Sequence, residues 1–156
     1  MKRIFYLLLG IVIIACACQT EPDENSIAVL PFRNDSSDES NTYFFNGMRS
    51  GIINELANKE NFKVIGSKSS GAFMNTNMTI SEIAKELNVR YVVEVNTQRN
   101  VDSMTVKVYS IGPFPFDSNL ALEKKYYYTI EETNDLVSLY SQITQDISAE
   151  IKKTPN

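Results

Sequence analysis

Histidine is absent from all 156 residues. That excludes a Ser-His-Asp or Cys-His triad, a His-Glu-x-x-His zinc site and any imidazole proton shuttle. Cysteine is nearly absent as well: Cys16 and Cys18 are the only two, both close to the start. The folded part is therefore expected to carry no internal disulfide and no thiolate metal cluster. Glycine and proline are sparse at six and five residues, with 43% of the chain hydrophobic and 22% charged, which separates it from disordered and collagen-like chains. The length suits one globular domain and is too short for two comfortable ones.

What is present begins with a leader. Met1-Lys2-Arg3 is a short positive region, and Ile4 to Ala15 is apolar apart from Tyr6 and Gly10. Those twelve residues fall short of the ~20 a membrane-spanning helix needs, but they suit an export signal. The leader ends Ile13-Ile14-Ala15-Cys16, which resembles the lipobox of bacterial lipoproteins: an aliphatic residue at −3, a small one at −1, then the cysteine that takes up diacylglycerol. Cys18 is the alternative, with the poorer Ala15 at its −3 position. Residues 1–15 read as a lipoprotein signal peptide, 16–25 as a lipidated cysteine with an acidic tether, and 26–153 as the folded domain. Several acyl chains, at ~0.8 kcal/mol per buried CH₂, make such an attachment permanent. Losing Lys2 and Arg3 from fifteen basic residues, against nineteen acidic ones, leaves a net charge of −6. A surface of that sign repels phosphate backbones, so nucleic acid is not an expected partner.

Patterning along the domain predicts β-α-β-α-β-β-β-α. Ser26 to Phe32 is too continuously apolar for a half-exposed strand and suits a central one. After a polar loop, Arg33 to Thr42, Phe44, Phe45, Met48, Ile52, Ile53 and Leu56 share one helical stripe, with Asn41 or Thr42 as the cap. Phe62 to Ile65 is a second strand, and Ser67 to Asn77 a flexible connection. Thr79-Ile80-Ser81-Glu82 is a capping box opening a helix to Leu87, with Met78 and Ile83 as its hydrophobic staple and Asn88 as a left-handed stop. Val89 to Thr97, Met104 to Ile111 and Leu120 to Ile130 read as strands, the first two forming a hairpin. Leu136, Leu139, Tyr140, Ile143, Ile147 and Ile151 line one face of a closing helix from about Asn134 to Lys153. Early β-α-β units demand parallel pairing and the hairpin antiparallel pairing, so the expected class is α/β with one mixed sheet and helices on both faces.

Ser26-Ile-Ala-Val-Leu-Pro-Phe32, Tyr43-Phe-Phe-Asn-Gly47, Phe62-Lys-Val-Ile65 with Ser69-Ser70, and Ile83-Ala-x-x-Leu87-x-Val89-x-Tyr91-Val-Val-Glu94 occur in the order seen in the TolB-like amino-terminal domain. The same stretch is similar to the FlgO lipoprotein domain. The resemblance covers residues 26–111 and implies a three-layer α/β/α fold with a five-stranded mixed sheet. It also implies a non-catalytic role in assembly or sensing within the cell envelope. A lipoprotein of the outer membrane, with an envelope protein as partner and no cofactor or metal, is the expectation. Gly112-Pro113-Phe114-Pro115-Phe116 replaces the family's usual segment after the fourth strand, and no β-propeller sequence follows.

Three segments are candidates for contact. Phe114 and Phe116, set between prolines in a short loop, either tuck against the domain or project as anchors for a partner. The acidic loop around Asp35 follows the first strand, at the end of an α/β sheet where ligands bind. Ser67, Ser69 and Ser70 lie in Gly66-Ser-Lys-Ser-Ser-Gly71, which has the glycine spacing of a phosphate loop, but Ala72-Phe73 stands where Lys-Ser/Thr should be. With Asp35 they outline the alternative reading, a small-ligand or nucleotide sensor. No catalytic residue is assigned. Gly47 and Gly51, one turn apart on a helix, each cost ~1 kcal/mol relative to alanine, and close packing against the sheet is the expected offset.

Overall fold

The computed structural model describes residues 21–34, 40–59, 62–98, 103–111, 118–127 and 133–153. The leader, Cys16, Cys18, Asp35, Phe114, Phe116 and Tyr128 lie outside the described residues. Strands are β1 (Ser26–Val29), β2 (Arg33–Asn34), β3 (Lys63–Val64), β4 (Tyr91–Gln98), β5 (Ser103–Ile111) and β6 (Ser118–Tyr127). Helices are α1 (Ser40–Lys59), α2 (Ser67–Gly71), α3 (Ile80–Leu87) and α4 (Thr133–Lys153). The sheet order is β3-β1-β4-β5-β6, with β2 also on β4. β1 runs parallel to β3 and β4, and β4, β5 and β6 are antiparallel in turn.

Burial explains the order. Ile27, Ala28 and Val29 have no exposed surface, as a strand between two covered faces requires. Side chains alternate along it: Ile27 and Val29, with Tyr91, Val93 and Val95, join the apolar stripes of α1 and α4 in the larger core. Ala28, Leu30 and Val92 face the other way, onto Ile83, Ala84 and Val89. Two helices therefore cover one face. On the other, α3 packs over the parallel strands and reaches Tyr109 of β5, and among the described residues no helix covers β6. There Lys107 and Glu123 pair at 3.5 Å, and Lys125 sits over the Tyr127 ring at 5.6 Å. Tyr126 is buried and its neighbour Tyr127 exposed, the alternation a strand imposes.

Several expectations need correcting. The sheet has six strands, not five, because β2 forms within a stretch read as loop. α1 starts at Ser40, so Asn41 and Thr42 lie inside it and cannot cap it. The supposedly flexible connection contains a five-residue helix, α2, whose flanking Gly66 has an ordinary negative φ. No glycine among the described residues has positive φ, so no glycine-dependent phosphate cradle is built there. Gly51 packs on α4, not on the sheet: a Cβ there would stand 2.9 Å from Tyr140 Cδ1 and Cε1. α3 conforms throughout, with Thr79 and Glu82 bonding reciprocally as a capping box and Asn88 left-handed at φ 51°.

The edge strand β6 is fastened to α4 by polar contacts. Lys124 Nζ donates to Asp146 Oδ2 at 2.6 Å, and Tyr126 OH donates to the same oxygen at 2.7 Å. Burial alone would raise the Asp146 pKa. The two hydrogen bonds and the charges of Lys124 and Lys153 outweigh it and hold the carboxyl below its ordinary value. Burial, then the bond to Asp146, pushes the Tyr126 phenol up. A carboxyl depressed on folding stabilises above its unfolded pKa and loses that contribution as pH falls through its folded one. Asp146→Asn is therefore expected to lower the urea midpoint at pH 7 and to converge with the parent chain in strong acid. Parallel curves at both pH values would contradict this.

Candidate functional site

Pro31 creates the site. It has no N–H to give β4, so pairing lapses after Leu30 N donates to Val93 O at 2.9 Å. Val29 pairs with Val93 and Arg33 with Asn96, so three residues, Leu30 to Phe32, span what Glu94 and Val95 span opposite. The extra residue acts as a bulge and re-aims the side chains that follow. Phe32 turns into the core, 6.2 Å between ring centroids from Phe45 on α1. Arg33 turns to the opposite face, its Nε 3.6 Å from Glu94 Oε1. Glu94 also accepts from Tyr109 OH at 3.3 Å. Burial first, then the Glu94 charge and this bond, raises the Tyr109 pKa.

Arg49 holds the neighbouring wall. It lies on the apolar stripe of α1 and is only 8% exposed. Its Nε and Nη2 donate to Val29 O at 3.2 and 3.0 Å, and Nη2 also reaches Ser67 O at 3.2 Å and Ser70 Oγ at 2.5 Å. Ser70 in turn donates to Gly66 O at 3.3 Å. All the acceptors are neutral, and burial pulls the guanidinium pKa down. The clamp fixes the start of α2 to the end of β1, and the chain beyond α2 passes above Phe32 and Arg33. Between them is a cavity of ≈ 470 Å³ lined by Phe32, Arg33, Met74, Asn75, Thr76 and Asn77. That is small-ligand size, at the carboxyl ends of parallel strands.

The candidate serines do not converge. Ser67 and Ser69 are exposed on α2, whereas Ser70 is fully buried against Arg49. Asn34, which precedes Asp35, pairs with Thr97 at the carboxyl end of β4. Ile111 and Ser118, which flank the Phe114 loop, pair with each other beyond Tyr91, at the opposite end of the sheet. The described residues that flank these two candidate regions thus sit at opposite ends of the sheet. Sequence reasoning missed Arg49, Arg33 and residues 74–77. A charged residue on a buried stripe, four positions after Phe45 and three before Ile52, was the available signal for Arg49. Among the described residues, no group of three or more acidic or cysteine side chains is placed to hold a metal ion.

No family model matches the chain. A Rhizobium meliloti protein named "Putative adenylate cyclase 3" is 36% identical over 90 residues, which make up 58% of this chain but only 15% of that protein. TolB from Acinetobacter baumannii superposes with a TM-score of 0.58 at 15% identity, over 88% of this chain and 31% of TolB. The hypothetical protein CT253 from Chlamydia trachomatis gives 0.55 at 12% identity, over 83% of this chain and 99% of that one. The α/β architecture that burial and strand pairing produce is thus the fold of a portion of TolB, as the sequence resemblance implied.

Proposed function

We propose that this chain is a non-enzymatic lipoprotein of the bacterial cell envelope, anchored through Cys16, or alternatively Cys18, in the outer membrane. Its α/β domain works by contact with an envelope protein. The lipobox-like Ile13-Ile14-Ala15-Cys16 and the acidic tether support the anchor. The observation that carries the binding role is the crevice. Its polar lining (Arg33, Asn75, Thr76, Asn77) is made of groups that hold ligands, and among the described residues that line it no nucleophile is paired with a base. The cyclase name belongs to a protein of which the matched stretch is 15%, and the chemistry proposed for this chain is binding.

Mass spectrometry of the mature N-terminus tests the anchor. The expected product begins at an acylated Cys16 and lacks residues 1–15, and an unmodified N-terminus would remove the proposal. Crosslinked pull-down of the full chain from envelopes tests the contact role, with Phe114→Ala and Phe116→Ala as comparisons. A partner lost in both variants is expected, and one indifferent to them would sink the aromatic-loop version. A second reading, a small-ligand sensor, is favoured by the cavity itself. The sequence assigns it Asp35, Ser67, Ser69 and Ser70; the wall at Arg33 and 74–77 is its better centre.

A further inference from the structure

We infer that the crevice binds a carboxylate, gripped by the Arg33 guanidinium and the side chains of residues 75–77. This deepens the small-ligand reading above and rests on it, but it is independent of the lipid anchor. Glu94 engages Arg33 only through Nε, at 3.6 Å. The two terminal guanidinium nitrogens make no hydrogen bond to a described residue, and 54% of the side chain is exposed. These nitrogens are the fork that matches a carboxylate through two parallel hydrogen bonds. Asn75 and Asn77 are likewise unengaged among the described residues, so their amide N–H groups are free to donate into the cavity they line. Thr76 Oγ1 accepts from Met78 N at 3.1 Å, which leaves its own O–H to donate. The unengaged polar groups therefore offer donors around one cation.

Charge decides between anions. Glu94 offsets part of the single positive charge, which suits a monoanion and disfavours a phosphate dianion. Phe32 and Met74, on the same cavity, give a short apolar tail a surface to lie on. The ligand is thus a carboxylate flanked by apolar atoms. It can come from a free short-chain acid or from the carboxyl terminus of a peptide.

The test is a titration of the full ¹⁵N-labelled chain with three probes: butyrate, a leucine-ended tetrapeptide, and that peptide's C-terminal amide. Saturable shifts of Arg33 Nε–H and the Asn75 and Asn77 side-chain amides are expected with one or both carboxylates and not with the amide. Butyrate active alone assigns the free acid, and the peptide active alone assigns a chain terminus. Arg33→Gln should weaken binding at least about tenfold, since a charge-assisted fork is lost. Met74→Glu, which leaves the Arg33–Glu94 pair intact, should weaken it as well by placing a carboxylate at the cavity wall. Equal shifts from acid and amide would overturn the carboxylate and keep the small-ligand reading. Silence from all three probes up to about 20 mM would overturn both. Unchanged affinity in both variants would overturn the assignment to Arg33.

Discussion

Arg49→Met is expected to cost about 3 kcal/mol of stability, more than any other single change proposed for this chain. Methionine keeps most of the unbranched stem and so leaves the packing on α1 nearly intact. It removes the guanidinium donors that reach Val29 O, Ser67 O and Ser70 Oγ. An acceptor left unsatisfied in a buried place costs about 1–3 kcal/mol, and Val29 is fully buried. Part of the loss is offset because a buried cation with no carboxylate partner is itself expensive, as its lowered pKa records. Ser67 O keeps some compensation from solvent, and the Ser70 hydroxyl still donates to Gly66 O. These offsets keep the total well below the sum of three fully orphaned acceptors. Arg49→Lys should recover a minority of it, because an ammonium cannot reproduce the fork that spans β1 and α2. Urea unfolding measures the total. Amide hydrogen exchange should localise the loosening to residues 66–74, whose first turn the clamp holds against the end of β1. A variant within about 0.5 kcal/mol of the parent, in the range of ordinary surface changes, would show that Val29 O is served by something else.

The same residue shows where sequence reasoning stops. α3 could be written down to its caps because Thr79, Glu82 and Asn88 act within three or four residues of the backbone groups they serve. The hairpin β4–β5 and the stripe of α4 were legible because period two and period 3.6 are local signals. Arg49 reaches acceptors 18, 20 and 21 positions away, and nothing local announces them. β2 was missed for a related reason. Two residues have no period, and the cue, Pro31, marks only where pairing fails, not that it resumes at Arg33 opposite Asn96. The crevice inherits both gaps. The carboxyl-end rule pointed to the end of the sheet where the crevice lies, but it named Asp35 and the serines. The wall is made by a bulge that turns Arg33 and by a clamp that sets residues 74–77 above it.

Gly51→Ala and Gly47→Ala should move stability in opposite directions. Both residues lie inside α1, where replacing glycine by alanine gains ~1 kcal/mol of helix propensity. A Cβ at position 47 meets nothing within 4 Å, so Gly47→Ala is expected to raise stability by about 0.5–1 kcal/mol. Nothing in the structure explains why glycine stands there. At position 51 the new carbon would sit 2.9 Å from two Tyr140 ring atoms and 3.2 Å from Cγ, closer than packed carbons approach. The atoms it meets belong to a planar ring, not to the tip of a flexible chain. Moving that ring means moving α4, which Ser141 Oγ also ties to α1 by donating to Glu55 Oε1 at 2.6 Å. Overpacking of this kind costs about 1–3 kcal/mol, and set against the propensity gain it leaves Gly51→Ala up to about 2 kcal/mol less stable. The decisive measurement is a double-mutant cycle with Tyr140→Ala. Once the ring is gone, Gly51→Ala should turn from destabilising to stabilising, approaching the gain seen at position 47. If it stays destabilising without the ring, then backbone spacing, and not the Tyr140 contact, is what selects glycine between the two helices.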